Sequence, residues 1–227
     1  MHKTSGRILC FLLSLLMLCV GASFAAAEPT EPTPSEAMQA YLAVLFGGQP
    51  YIRCNLFDNV TEESSLTDEI TDWYGYLFDP PFTFAAFALT DLDGNGVPEL
   101  LLQLSGYFGY ELLRYENDQV YGYPFVYRAM QAVTQDGEIA SANGADNYGW
   151  YRISFDGATM NQSVVCWKHD EQTITDSQYV IGDAQSTEED FCALDEALWS
   201  KPAIAFTDYS QEAVEAAAAS VLSIPSE

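Results

Sequence analysis

The sequence predicts an α+β fold in which an antiparallel β-meander sheet carries a β-loop-β hairpin, with N-terminal helices and a C-terminal helical segment. Three observations support this prediction. Capped segments with apolar residues at helical spacing lie near both ends of the chain. Short β-prone segments, separated by turn dipeptides, fill residues 110–181. Before them, two apolar runs flank an acidic, glycine-containing loop at residues 91–99.

The first 27 residues have the pattern of a secretory signal peptide. Lys3 and Arg7 give a positive start, Ile8 to Val20 is apolar apart from one serine, and Ala25-Ala26-Ala27 offers a small-residue cleavage site. We therefore expect residues 1–27 to be removed, residues 28–34 to be a Pro/Thr/Glu linker and residues 35–227 to form a single domain outside the cytoplasmic membrane, secreted or in the cell envelope. An uncleaved anchor over residues 8–27 is the alternative.

The region after residue 27 is strongly acidic. It contains six basic and 33 acidic residues, a net charge of −27. Such a charge disfavours binding to nucleic acids and to anionic membranes. Aromatic residues make up 14% of the chain, which favours a packed core over disorder.

Three cysteines follow the signal segment, namely Cys54, Cys166 and Cys192. They make neither a disulfide framework nor a C-x-x-C zinc signature. If any disulfide forms, we expect it to join Cys166, in a late strand, to Cys192, in the helix that follows, with Cys54 buried and reduced.

The elements follow from caps, spacing and turns. A capping box at Thr33–Glu36 predicts a helix to about Phe46, ended by Gly47-Gly48. We expect one strand within residues 51–60, a helix at 65–78, strands at 83–89 and 98–104, a second capping box at 186–189 opening a helix to Trp199, a strand at 203–206 and a helix at 211–222. The meander strands are predicted at 110–115, 119–123, 129–133, 139–142, 148–155, 163–168 and 178–181.

The loop at residues 91–99 has the spacing of a calcium-binding loop. Oxygen-bearing side chains occupy its positions 1, 3, 5 and 9, and Gly96 at position 6 permits a sharp turn. An EF-hand would have a bidentate glutamate at position 12, but this chain has Leu102, so the pattern favours a loop between two strands. A hairpin turn without metal is the alternative. The expected Ca²⁺ ligands are Asp91, Asp93, Asn95, the carbonyl of Val97 and Glu99.

The segment from Phe87 to Leu101, with its Asp91-Leu92-Asp93-Gly94-Asn95-Gly96-Val97-Pro98-Glu99-Leu100 core, resembles a motif of uncharacterised exported proteins from anaerobic Gram-positive bacteria. Its loop is also similar to those of FG-GAP and VCBS repeats, although a single copy argues against a propeller. The resemblance implies calcium binding and export, and it implies no catalytic activity.

No catalytic motif stands out. His169 is the only histidine after residue 27, and we interpret it as a surface residue. With 33 acidic residues, chance carboxylate pairs carry little weight. A set of aromatic residues could form an exposed row that meets a protein or polysaccharide partner, or it could be core. The set is Tyr107, Phe108, Tyr110, Tyr121, Tyr123, Phe125, Tyr127, Tyr148, Trp150 and Tyr151.

Two functional hypotheses follow. The first is an acidic, calcium-stabilised binding or structural module without hydrolytic activity of its own. The alternative is a secreted, glycan-active hydrolase that uses carboxylates and has a structural calcium. An exposed aromatic row would favour the first hypothesis. A deep pocket with two carboxylates of different pKa would favour the second.

Overall fold

The computed structural model describes residues 32–54, 61–66, 83–126, 128–169 and 178–222. Its first element is helix α1, Pro34–Gly47, whose start is determined by the local sequence. The Thr33 side chain accepts a hydrogen bond from the Glu36 N–H, and the Glu36 side chain accepts one from the Thr33 N–H. These bonds form the predicted capping box. The helix, Pro34–Gly47, ends at Gly48 in the left-handed conformation (φ 66°).

The strands form two sheets. The first sheet contains β1 (Tyr51–Cys54), β2 (Thr61–Ser64), β3 (Phe84–Thr90), β4 (Glu99–Leu104), β5 (Gly109–Glu116), β6 (Gln119–Val126) and β13 (Thr207–Asp208). The second contains β7 (Ala132–Val133), β8 (Ile139–Ala142), β9 (Tyr148–Asp156), β10 (Thr159–Lys168), β11 (Tyr179–Ile181) and β12 (Ala184–Gln185). The first sheet has the order β13-β3-β4-β5-β6-β1-β2, and the second has the order β12-β11-β10-β9-β8-β7.

Sequence neighbours pair antiparallel through β3-β4-β5-β6 and through β7 to β12. The predicted α+β class with a β-meander is thus confirmed, with the strands divided between two sheets. The pairing of β1 with β6 is parallel. Helices α2 (Glu188–Trp199) and α3 (Gln211–Leu222) follow the second sheet in the chain.

Because successive side chains of a strand point to opposite faces of the sheet, the core is divided into layers. Leu100 and Leu102 of β4 pack with α1 and α3 on one face of the first sheet. Leu101 lies on the other face, in a cluster with Tyr151 and Ile153 of the second sheet. Because both faces of β4 are covered, its middle residues Leu100–Leu102 are all apolar and do not alternate with polar ones. Helix α2 packs through Phe191 on the remaining face of the second sheet.

Several predicted details need correction. The cap of α2 is Thr187, which accepts from the Asp190 N–H, one residue later than the predicted box at 186–189. Residues 203–206 form only an isolated bridge at Ala203, and the strand begins at Thr207. Strand β2 was not predicted, because its Thr-Glu-Glu-Ser sequence has little β-propensity. The predicted helix at 65–78 lies almost wholly outside the described residues.

Candidate metal centre

The acidic loop joins β3 to β4 at one end of the first sheet. Thr90, the last residue of β3, pairs with Glu99, the first residue of β4. The two strands are hydrogen-bonded neighbours in the middle of the sheet order, so the ends of the loop are fixed by the core. The hairpin therefore brings the start and the end of the acidic segment together.

Asp91 organises the turn. Its Oδ1 accepts hydrogen bonds from the backbone N–H groups of Gly94 at 2.8 Å and Asn95 at 3.0 Å. Its Oδ2 accepts one from Gly96 at 2.8 Å. Gly94 and Gly96 have φ of 77° and 86°, a conformation that residues with a Cβ rarely adopt. The glycines at these positions allow the loop to curl around a single carboxylate.

Three carboxylates converge inside the curl. Asp91, Asp93 and Glu99 each offer an oxygen, and these oxygens lie within 4.8 Å of one another. Glu99 is 1% exposed, and its Oε2 accepts a hydrogen bond from the Leu92 N–H at 2.8 Å. The trio combines one exposed, one half-buried and one buried residue, and it could hold a metal ion.

The pKa values of two of these carboxylates, Glu99 and Asp93, are raised above their ordinary values. The pKa of Glu99 is raised to about 8, first by burial and then by the neighbouring charges of Asp93 and Asp91, while the Leu92 N–H and Arg114 act in the opposite direction. Burial likewise raises the pKa of Asp93, against the lowering effects of the Asn95 N–H and Arg114. Each carboxylate therefore needs additional positive charge to remain ionised at low cost.

Arg114 of β5 is the cation that acts on both pKa values, and the sequence analysis did not identify it. Its Nε lies 3.8 Å from Asp93 Oδ2. Its guanidinium also pairs with Glu116, donates to the Gly157 carbonyl at 3.3 Å and lies over the Phe155 ring. This single positive charge is shared between two carboxylates, so it neutralises the loop only in part.

The remaining predicted ligands lie beside the trio. The Asn95 amide nitrogen donates to Asp93 Oδ2 at 3.1 Å, and its Oδ1 accepts from the Val97 N–H at 2.7 Å. Val97 is buried. The geometry thus brings Asp91, Asp93 and Glu99 together and places Asn95 next to them. The ligand roles of Asn95 and of the Val97 carbonyl stay predictions.

The loop contacts three layers of the fold. The Tyr41 hydroxyl of α1 donates to the Pro98 carbonyl at 3.1 Å and accepts from the Tyr115 N–H of β5 at 3.0 Å. On the other side, a Cβ at Gly137, in the β7–β8 turn, would lie 3.0 Å from the Leu92 carbonyl oxygen. The loop therefore connects α1, the first sheet and the second sheet.

A second buried carboxylate, Glu138, was also missed by sequence reasoning. It is 2% exposed and accepts hydrogen bonds from Thr134, Arg152 and Lys201, the last at 2.9 Å. Burial alone would raise its pKa, but the bonds from Thr134, Lys201 and Arg152 outweigh burial and lower its pKa to about 2. The chain itself neutralises this carboxylate.

Other predicted features have plain outcomes. Cys54, Cys166 and Cys192 are free thiols, so the conditional Cys166–Cys192 disulfide is not formed; Cys54 is buried, as predicted.

The described side chains of the aromatic set are buried or half-buried, which favours the core interpretation. They are Phe108, Tyr110, Tyr121, Tyr123, Phe125, Tyr148, Trp150 and Tyr151. His169 is half-buried rather than fully exposed.

Comparison of this chain with protein-family models, curated proteins and solved structures finds no match. Among the described residues, no helix combines the length and apolar character needed to span a membrane.

Proposed function

We propose that this chain is an exported, acidic, calcium-stabilised binding or structural module of the cell envelope or extracellular space, without catalysis of its own. The observation that carries the proposal is the convergence of Asp91, Asp93 and Glu99 within 4.8 Å, with Glu99 almost fully buried. A buried carboxylate next to two others is costly unless a cation balances it.

Calcium fits the chemistry of these donors better than other common cations. The cluster offers only oxygen atoms, and Ca²⁺ takes six to eight of them in a flexible shell. Zinc sites draw on thiolate and imidazole ligands, which the trio lacks. Mg²⁺ requires a tighter octahedron. The side chains of Asp91, Asp93, Asn95 and Glu99 and the Val97 carbonyl would hold the ion.

The proposed role of the ion is structural. The loop is connected to α1 by Tyr41 and abuts the second sheet at Gly137. A bound cation would balance the carboxylates at this junction and hold the ends of β3 and β4 in register. Ca²⁺ at such extracellular sites commonly binds at about 10⁻⁴ to 10⁻³ M, so export and metal binding support each other.

Export is supported by the sequence of residues 1–27, with their basic start, apolar segment and alanine-rich end. We expect a mature N-terminus at or near Glu28. N-terminal sequencing of the protein recovered outside the cell checks this, and recovery of a chain that begins at Met1 would contradict it.

The binding role is preferred to the hydrolase alternative because of the surroundings of the carboxylates. A glycosidase needs two carboxylates on either side of a bound sugar. One cavity, which lies against the second sheet and is lined by Tyr151 and Trp167, has no carboxylate among its described lining residues. In the loop, the three carboxylates converge on one point, and each accepts a hydrogen bond from a backbone N–H group of the same turn.

The deciding experiment is a calorimetric titration of the purified protein with CaCl₂, and in parallel with MgCl₂. We expect one Ca²⁺ site with a dissociation constant of about 10⁻⁴ to 10⁻³ M and much weaker Mg²⁺ binding. A titration without calcium-dependent heat, together with a melting temperature that calcium leaves unchanged, would overturn the proposal.

A further inference from the structure

A cavity of about 610 Å³ lies against the second sheet, on the face that packs on the first sheet. Small-molecule sites commonly measure about 300–1,000 Å³. Its apolar wall combines Phe125 of β6 with Tyr151, Val164 and Trp167 of β9 and β10. We refer to this cavity as the β10 groove. It shares no residue with the metal loop.

A β-bulge places Trp167 in the β10 groove. Val164 pairs with Tyr151, and Trp167 pairs with Gly149, with a register shift between Val164 and Cys166. Tyr151 and Gly149 are two residues apart on β9, so their partners Val164 and Trp167 share one face despite being three residues apart. Without the extra residue, Cys166 would face the groove and Trp167 would point away from it.

Glycine and asparagine then fix the indole. A Cβ at Gly149 would lie 2.2 Å from the Cys166 carbonyl oxygen and 2.9 Å from Cε3 of Trp167, so only glycine leaves room for the bulge and the ring. Trp167 Nε1 donates to Asn147 Oδ1 at 2.7 Å. This bond holds the ring in place and leaves the Asn147 amide nitrogen available to another acceptor.

The described polar lining of the groove consists of amide, hydroxyl and imidazole groups. Within the described chain, the lining contains no carboxylate, lysine or arginine, although residues 28–227 carry a net charge of −27. The side chains of Asn143, Asn161, Gln162 and His169 line it without a hydrogen-bond partner among the described residues. The Tyr151 hydroxyl, by contrast, donates to the Ala129 carbonyl at 2.9 Å. The unpaired groups can both donate and accept hydrogen bonds.

We propose that the β10 groove binds a neutral saccharide, with the apolar C–H face of a sugar ring stacked on Trp167. The surrounding amides and the imidazole would bond the sugar hydroxyls, which both donate and accept. Anionic glycans are disfavoured because none of the described residues that line the groove is a lysine or arginine, and the surface is acidic. The inference gives a ligand class to the binding role proposed above and rests on it, but it does not depend on the metal loop.

Affinity electrophoresis of the purified protein in millimolar calcium tests the inference. Separate native gels contain a soluble β-glucan, an α-glucan, a mannan or a xylan, and two further gels contain the acidic polymers polygalacturonate and alginate. We expect retardation by at least one neutral polysaccharide. Trp167→Ala should weaken that binding about tenfold or more, because the stacking contact between the indole ring and the sugar is lost.

Two further variants make the outcome decisive. Gln162→Ala changes an exposed groove residue without a described partner and should fold normally, with binding weakened roughly fivefold. Trp199→Ala removes a 54% exposed tryptophan of α2, on the other side of the second sheet, and should bind like the wild type. If Trp167→Ala fails to fold, the difference in saccharide binding between Gln162→Ala and Trp199→Ala decides whether the groove is the binding site.

Three results would overturn the inference: retardation by none of the neutral polymers, retardation by the acidic polymers alone, or equal binding by Gln162→Ala and the wild type. Capture of an unstructured peptide library in place of any saccharide would also overturn it. If the neutral polymers fail while calcium still raises the melting temperature, only this inference fails. If calcium has no effect while a saccharide binds through the groove, only the metal proposal fails.

Discussion

Two buried glutamates, Glu99 at the end of the acidic loop and Glu138 in the β7–β8 turn, lie in opposite electrostatic surroundings. Both are at most 2% exposed, yet the pKa of Glu99 is raised to about 8 and that of Glu138 is lowered to about 2. Glu138 receives hydrogen bonds from Arg152 and Lys201. Glu99 lies beside two other carboxylates and near one arginine that is already paired with Glu116.

The difference shows how burial and charge balance combine. Burial disfavours the ionised form of both carboxylates, so the sign of the pKa shift depends on what the surroundings supply. At Glu138 the chain supplies the cations. At Glu99 it supplies further anions, and a divalent cation would supply the balance. Stability should therefore depend on calcium through the loop and on internal charge pairing at Glu138.

The largest effect should come from the loop. Calcium at a hundredfold excess over its dissociation constant should stabilise the fold by about 2.7 kcal/mol, because the proposed site exists only in the folded state. For a domain of this size that corresponds to a rise in Tm of about 5–10 °C. Asp91→Ala should abolish the rise, since Asp91 both organises the turn and belongs to the trio. Thermal melts in chelator and in calcium measure it.

The matched control is Asp183→Ala, which removes an exposed carboxylate from the β11–β12 turn. This variant should keep the full calcium response. If wild type and Asp91→Ala respond equally, the loop is a hairpin turn and the comparison between the two glutamates loses its basis.

Glu138→Gln should lower the free energy of unfolding by about 2 kcal/mol, with or without calcium. The amide keeps the shape of the side chain but loses the charge that strengthens its hydrogen bonds. The loss stays moderate because Arg152 is half exposed and Lys201 a third exposed, so water solvates the charges left behind. Urea denaturation measures the effect, and Glu63→Gln, at an exposed site in β2, should cost far less. A calcium-dependent loss in Glu138→Gln would contradict the separation of the two regions.

The contribution of Glu138 should also depend on pH. Its folded pKa of about 2 lies below its ordinary value of 4.5, so its stabilisation is complete above about pH 4.5 and is lost as the pH falls toward 2. The stability difference between wild type and Glu138→Gln should therefore be constant from pH 7 to 5 and shrink below that. Urea denaturation of both proteins from pH 7 to pH 2.5 checks this prediction. A difference that stays constant down to pH 2.5 would show that the charge of Glu138 is not the cause.

The smallest effect should come from Arg114. Arg114→Gln removes a positive charge 3.8 Å from Asp93, which should make calcium binding more favourable by about 1 kcal/mol, or roughly fivefold. Calorimetric titration measures this, and Arg128→Gln, at an exposed arginine, should leave the affinity unchanged. Weaker calcium binding in Arg114→Gln would mean that the arginine positions Asp93 rather than competing with the ion.

Local features were predictable from the sequence because their causes lie within a few residues. The Thr33 capping box, the β3-loop-β4 hairpin and α3 at Gln211–Leu222 are confirmed. The convergence of Asp91, Asp93 and Glu99 was also predictable, because two antiparallel apolar strands bring both ends of a nine-residue segment together. In each case spacing along the chain determines which groups meet.

Only the tertiary structure decided the contacts made over long separations. Arg114 meets Asp93 because β5 pairs with β4, and Lys201 meets Glu138 across 63 positions. Trp167 faces the β10 groove because one bulge reverses the alternation of β10, and a single inserted residue moves a side chain to the other face of a sheet. The sequence by itself determined where the acidic loop and the capped helices lie. Packing decided the division into two sheets, the partners of the buried charges and the lining of the groove, because pairing register and sheet contacts depend on residues far apart in the chain.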